Sequence, residues 1–190
     1  MTTVFVDVDT QMDFLLPSGA LYVPGAEKRI AAISRMNRYA LLHGITVLST
    51  MDAHAENDPE FRHWPPHCVA GTLGQRKPES TLLPGLVHWR YRHRDLDIRS
   101  ASQVIIEKVT TNCFECPNFE PILSQLNADR YVIYGVATEV CVKFALQGFL
   151  QTGKKLELVL DAIQALTPEG AEKTIREFQA AGGGISTTFA

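Results

Sequence analysis

Tyr131-Val-Ile-Tyr-Gly-Val136-Ala-Thr-Glu-Val-Cys141-Val-Lys-Phe-Ala-Leu-Gln-Gly-Phe-Leu-Gln-Thr152-Gly-Lys-Lys-Leu156-Glu-Leu-Val-Leu160 is the stretch on which the fold turns. Tyr131 to Val136 is a short apolar run, the pattern of a strand buried on both faces. Thr138 to Thr152 reads as a helix ended by Gly153, with Lys154 and Lys155 just beyond it. Leu156 to Leu160 is a second apolar run. Strand, helix, strand is the unit that joins two parallel strands by a crossover.

The same alternation continues in both directions. Downstream, Pro168 to Ala181 reads as a helix with Pro at its start, and Ile185 to Phe189 as a last short strand. Upstream, Val104 to Lys108 and Ile45 to Met51 read as strands. Ala26 to His43 carries Ile30, Ile33, Met36, Tyr39 and Ala40 at helical spacing and stops at Gly44. Val4 to Asp9 is a buried strand that ends in acid. Asp52 to about Pro84 is rich in Pro, His and Gly and reads as loop, and so long an irregular stretch inside a compact domain is usually functional. The expectation is a single α/β domain over residues 1–190, in three α/β/α layers around a central, mostly parallel sheet of Rossmann-like type.

Bulk properties narrow the class. The 190 residues suit one domain with a sizeable core. A net charge of −3 gives no electrostatic case for nucleic acid or an anionic membrane as partner. No apolar run approaches the ~20 residues of a membrane span. The first residues, Met1-Thr-Thr-Val-Phe-Val-Asp7, are acidic where a signal peptide would be basic, so a cytoplasmic location is expected. Four cysteines are too few for a disulfide scaffold, so each is weighed singly.

In parallel sheets the chemistry sits beyond the C-terminal strand ends. Asp9 ends the first strand, Asp52 follows the second, Lys108 ends the Val104 strand, and Cys141 opens the helix after the Tyr131 strand. This convergence says more than any one residue. Only a thiolate attacks, and a free thiol has a pKa of about 8.5; a helix N-terminus and a nearby lysine would lower it. Position alone does not separate a nucleophile from a buried structural cysteine. A carboxylate such as Asp9 would take the thiol proton and return it to a leaving amine, although a loop-capping aspartate would look the same. Lys108 would hold Asp9 ionised, or would simply be a solvated strand end.

The long loop supplies a second set. Asp52-Ala-His54 places two metal ligands close together after a strand, and His67 would close the site. Two imidazoles with carboxylates suit a borderline divalent ion such as zinc, iron or manganese. Spacing leaves Glu60 and His63 open as the next ligand, and it does not exclude a polar loop that binds nothing.

At this point Asp9-Thr-Gln-Met-Asp13-Phe14, Asp52-Ala-His54, Trp64-Pro-Pro-His67-Cys, Glu107-Lys108 and Gly135-Val-Ala-Thr-Glu-Val-Cys141-Val resemble the nicotinamidase/pyrazinamidase branch of the isochorismatase-like cysteine hydrolases. The matches run in order over about positions 4 to 161, most of the chain. The resemblance implies a catalytic triad of Asp9, Lys108 and Cys141. It implies metal ligands Asp52, His54 and His67, with Glu60 preferred over His63 because relatives carry His or Glu six residues after the histidine of Asp-x-His. It implies a cis peptide between Val136 and Ala137, and an oxyanion hole from the backbone N–H groups of Ala137 and Cys141. Phe14 and Trp64 match aromatic positions of the substrate pocket, and Phe114 is the aromatic matched in a segment, residues 109–117, that departs from the family's pattern. The implied reaction is hydrolysis of nicotinamide, and of pyrazinamide, to the acid and ammonia through a cysteine thioester. A metal ion would orient the ring.

Other readings remain beside this one. A relative acting on another small amide, a carbamoyl or ureido compound, would commonly lack the metal site. Isochorismate cleavage needs no thiol nucleophile, so Cys141 argues against it. A catalytically dead binding protein on the same fold would have an unreactive Cys141. Cys113-Phe-Glu-Cys116 has no second pair to complete a four-thiolate zinc site, and Pro117 follows directly, so both thiols read as structural. Cys68 reads as packing. His88-Trp-Arg-Tyr-Arg-His-Arg94 mixes base and aromatic residues but reads as a solvated face, or else a subunit interface in a homo-oligomer.

Overall fold

A computed structural model describes residues 1–91 and 97–188. Seven strands run β1 (Thr3–Val8), β2 (Thr46–Asp52), β3 (Leu86–Trp89), β4 (Gln103–Lys108), β5 (Arg130–Val136), β6 (Lys155–Gln164) and β7 (Gly184–Ser186). They form one sheet in the order β3-β4-β2-β1-β5-β6-β7, and every pairing is parallel. The α-helices are α1 (Met12–Leu15), α2 (Ile30–Leu42), α3 (Phe119–Leu126), α4 (Lys143–Leu150) and α5 (Pro168–Ala180). The fold is the expected three-layer α/β type. Crossovers run leftward from β1 to β2 and rightward from β5 to β6, and the fixed hand of such connections puts α2 and α4 on opposite faces.

The order reverses direction at β1. The chain first builds outward on one side of β1, then returns to place β5 on the other, so the crevice at the C-terminal ends of β1 and β5 is the switch point. Gly135 makes the approach there feasible. Its φ is +127°, and a Cβ would fall 2.1 Å from the Val8 carbonyl oxygen. The central strands are apolar on both faces: Val6, Leu48, Val104, Val132 and Leu158 are fully buried. Asp7 is the exception inside β1. It is compensated by Lys77 Nζ at 3.2 Å, the Thr10 hydroxyl at 2.6 Å and the Ser49 hydroxyl at 2.9 Å.

Several element boundaries differ from expectation, each for a local reason. The Ala26 helix starts as a 3-10 turn, Ala26–Arg29, before α2 proper. β6 does not stop at Leu160. Its pairing with β5 shifts at a bulge between Ile133 and Gly135, which lets Ile163 and Gln164 rejoin the ladder. α3 was not legible because Pro121 interrupts the pattern, but Pro is tolerated in a first turn. The basic-aromatic run begins as strand β3: Trp89 is buried in the core and His88 pairs with Glu107 at 3.0 Å. This half is thus sheet edge rather than solvated face; residues 92–94 of that run, and Phe189 of the last strand, lie outside the described residues. Among the described residues no helix is long and apolar enough to cross a membrane.

Candidate active site and metal centre

Four chain segments meet at the switch point. Asp9 follows β1 in a left-handed backbone conformation, φ +50°, with its N–H on the Thr50 carbonyl at 3.3 Å and its Oδ1 accepting from the Thr50 hydroxyl at 2.6 Å. Lys108, last residue of β4, points its ammonium into the same space. Its Nζ lies 2.8 Å from Asp9 Oδ2, 2.5 Å from Asp52 Oδ1, 2.9 Å from the Thr110 carbonyl and 3.9 Å from Cys141 Sγ. One cation therefore serves two carboxylates and faces the thiol.

The electrostatics follow from burial. Asp9 and Lys108 are 0% and 1% exposed, so solvent screens neither. Burial pushes the Asp9 carboxyl above its usual range, with Lys108 opposing. Burial would depress Lys108, but Asp52 and Asp9 outweigh it and hold the ammonium well above its usual value. Burial would likewise raise Asp52; Lys108 and His54 bring it below the usual range. Cys141 departs from the sequence expectation. Burial lifts its thiol well above the ordinary value, with Lys108 opposing and the negative charges of Asp9 and Asp52 adding to the rise. The thiol and the Asp9 carboxylate beside it thus both have raised proton affinity.

The turn that carries Cys141 also differs in kind. Thr138–Val142 is a π-helical turn that precedes α4, where one continuous helix was expected. Wide turns of this sort occur often at functional sites. The Val136–Ala137 peptide is cis. Ala137, Val140 and Cys141 all face one cavity, together with Phe14, Leu21, Val23, Asp52, Glu60, Trp64, His67, Thr111, Val136 and Leu166. Its empty space is about 410 Å³, part of it open to solvent.

Behind the part of this cavity lined by Asp52 and His67, those two residues and His54 bring ligand atoms within 4.8 Å of one another, all three residues buried. Asp52 Oδ2 is 3.8 Å from Nε2 of each histidine, too long for hydrogen bonds but near the spacing of two donors on one ion with bonds of about 2.0–2.2 Å. The far side of the His67 ring is held, its Nδ1 meeting the Pro65 carbonyl at 2.7 Å, and His54 Nδ1 lies 3.2 Å from Asp58 Oδ2 without making a hydrogen bond to it. Both Nε2 lone pairs are thus turned toward Asp52. His54 Nε2 is buried without a hydrogen-bond partner, which a cation would satisfy. The residues present fit a divalent ion.

The remaining residues singled out in the sequence take different places. Glu60 lines the cavity, but its carboxylate is not among the converging ligand atoms. It sits on the 3-10 turn Pro59–Arg62, where burial and the negative charge of Asp52 raise its proton affinity, a repulsion that a cation between them would relieve. His63 is exposed and lines an outer cleft that adjoins the cavity at Glu60, Trp64 and Thr111. Phe114 is not on the cavity wall. It packs on Phe119 and Phe149, with centroids 4.7 and 5.0 Å away, and lies against Gly148 of α4. The aromatic core offers this half-buried ring more contact than a polar cavity edge, and Thr111 takes the wall position instead. Phe114→Ala is expected to lower stability by roughly 2 kcal/mol, below the fully buried range, and to leave KM for a small amide unchanged, as read by denaturant melts and steady-state kinetics.

Sequence reasoning missed Gln11. Its amide donates to the Asp52 and Gln75 carbonyls, each at 2.8 Å, and accepts the Asp52 N–H at 2.7 Å. A glutamine replaces a strand neighbour at the end of β2; the signal available was its place between Asp9 and Asp13. Cys68 is fully buried and packs with Phe14, Leu15 and Val136. Cys113 and Cys116 are buried free thiols.

Comparison with known proteins places this architecture. A family model described as an isochorismatase domain matches residues 3–189. The chain belongs to the isochorismatase family. It is 23% identical over 201 residues to the nicotinamidase of Escherichia coli K12, covering 95% of this chain and 92% of that protein. Among solved structures it is similar to the pyrazinamidase of Pyrococcus horikoshii in complex with zinc, at 29% identity and a TM-score of 0.81, covering 98% of this chain and 99% of that one. It also shares its fold with N-carbamoylsarcosine amidase from Thermoplasma acidophilum, at 22% identity, a TM-score of 0.80, and 100% and 98% coverage.

Proposed function

We propose that this isochorismatase-family enzyme hydrolyses the carboxamide of nicotinamide, and of pyrazinamide, to the carboxylic acid and ammonia, with Cys141 as nucleophile. The carrying observation is that one cavity presents the thiol, with Lys108 at 3.9 Å and Asp9 beside it, next to the three buried ligands Asp52, His54 and His67. A heteroaromatic amide has one group for each: a carbonyl carbon for sulfur, and a ring nitrogen for a metal. Carbamoyl or ureido substrates, the alternative within the fold, offer no ring for the second set.

The chemistry is acyl transfer in two halves. As Cys141 sulfur attacks the carboxamide carbon, its proton passes to Asp9, whose raised proton affinity suits it as base. The backbone N–H groups of Ala137 and Cys141 are assigned to the developing oxyanion, commonly the largest catalytic contribution. The C–N bond breaks as Asp9 returns the proton to the leaving nitrogen, and ammonia departs. Asp9 then takes a proton from water, whose oxygen attacks the thioester; the C–S bond breaks and Cys141 recovers its proton. Lys108 stays charged throughout and holds Asp9 in place. Phe14, Trp64 and Leu166 flank the ring and keep water from it. Asp52, His54 and His67 would hold a divalent ion, zinc by preference with iron or manganese as alternatives, which would supply Lewis-acid chemistry to orient the ring. The location proposed is cytoplasmic.

Stripping the metal with a chelator should lower ammonia release from nicotinamide, and zinc should restore it. Zinc at one hundred times its dissociation constant should also stabilise the stripped protein by about 2.7 kcal/mol, a melting shift of roughly 5–10 °C. Full turnover in metal-free protein, with no thermal shift on adding zinc, iron or manganese, would remove the metal from the reaction.

A further inference from the structure

Asp13 takes part in no step above, yet its carboxylate joins two loops, at Ala20 and Cys68, and its main chain joins a third at Gly74. We propose that Asp13 is the positioning residue that pre-forms the metal-binding set; this rests on the metal reading just given. Its Oδ2 accepts the backbone N–H of Cys68 at 2.7 Å, and its Oδ1 that of Ala20 at 3.0 Å. Its own main chain accepts Leu21 N–H at 3.2 Å and donates to Gly74 at 3.0 Å.

The Cys68 contact matters for the ligands. Cys68 directly follows His67 and has φ +46°, a left-handed conformation that a non-glycine residue keeps only when its surroundings enforce it. A charge-assisted hydrogen bond to its N–H is such an enforcement. The Cys68 carbonyl in turn accepts His54 N–H at 3.2 Å, and Ala70 N–H donates to the His54 carbonyl at 2.9 Å. Through Cys68, then, one carboxylate fixes the backbone at both histidines. Gln11, two residues earlier, brackets the third ligand, Asp52. Space is cut to fit: a Cβ on Gly74 would lie 2.2 Å from the Asp13 carboxylate oxygens.

The test measures metal affinity rather than turnover. Metal-free wild type, Asp13→Asn, Gly74→Ala and Asp161→Asn are titrated with zinc against a chromogenic chelator. Alkylation of Cys141 by iodoacetamide in the metal-free proteins reports an intact fold. Asp13→Asn is expected to weaken zinc binding 10- to 100-fold, with the alkylation rate within about twofold of wild type. Gly74→Ala displaces the same carboxylate by another route and should weaken zinc similarly, which keeps the test decisive if Asp13→Asn folds poorly. Asp161→Asn makes the same exchange at a carboxylate that accepts a comparable pair of hydrogen bonds, from the Thr188 N–H and hydroxyl at 2.7 Å each, and that contacts none of the ligands. It should cost thermal stability and leave zinc affinity unchanged. Wild-type affinity in folded Asp13→Asn and Gly74→Ala overturns the proposal while sparing the metal site. Absence of saturable zinc binding in the wild type overturns the metal reading, and this inference with it.

Discussion

A Cys141→Ala protein is expected to release no measurable ammonia from nicotinamide, a loss on the order of 10⁴-fold or more, while melting within a few degrees of the parent. The two halves of this expectation have separate causes. Without sulfur no thioester forms, and Asp9 has no proton to take at the reacting centre; the cavity and oxyanion donors that remain give only residual catalysis. Stability changes little because a single atom is removed beside an existing cavity, at a cost of about 1 kcal/mol or less. Ammonia detection coupled to a thermal melt reads both. Turnover near the parental rate would end the nucleophile assignment and direct attention to water as the attacking group.

Lys108→Met should damage both stability and turnover. The substitution keeps most of the side-chain length but leaves the Asp9 and Asp52 carboxylates, both buried, without the ammonium between them. Breaking such a buried arrangement by removing one partner costs about 3–5 kcal/mol, which for a chain of this size is a fall of roughly 6–20 °C in Tm. Turnover should fall by at least about 10²-fold, since Asp9 would become protonated in the absence of the cation and cease to act as base. The double variant Lys108→Met with Asp52→Asn should regain part of the lost stability, because one of the two stranded charges is gone, but none of the lost activity. A double variant no more stable than Lys108→Met would mean that the lysine contributes packing rather than charge balance.

The coupling between these predictions is geometric. Asp52 turns one oxygen to Lys108 and the other to the histidine pair, so the cation that serves the thiol and the site that fits a metal share a carboxylate. A divalent ion there adds positive charge beside Lys108 and should favour the ionised state of both aspartates. Ring orientation and proton transfer are therefore properties of one buried charge cluster, and single substitutions within it will not be additive.

Much of this was legible along the chain because it depends on local periodicity. Apolar runs of strand length, alternating with helical segments, dictate a parallel sheet, and parallel sheets expose functional groups at one edge. Asp9, Asp52, Lys108 and Cys141 stand at strand ends or just beyond, so their convergence could be anticipated from sequence position alone. Side-chain direction and burial could not, because both depend on residues distant in sequence. The proton affinity of the thiol is raised because sheet and loops together remove it from water, outweighing the lysine. Phe114 turned into the core because Phe119 and Phe149 come close only once α3 and α4 pack. Glu60 lines the cavity near enough to Asp52 to feel its charge, a proximity that spacing along the chain did not show. The work of Gln11 and Asp13 is hydrogen bonding to backbone that lies 41 to 64 and 55 residues away, and no pattern of neighbours reveals such partners before the chain has folded.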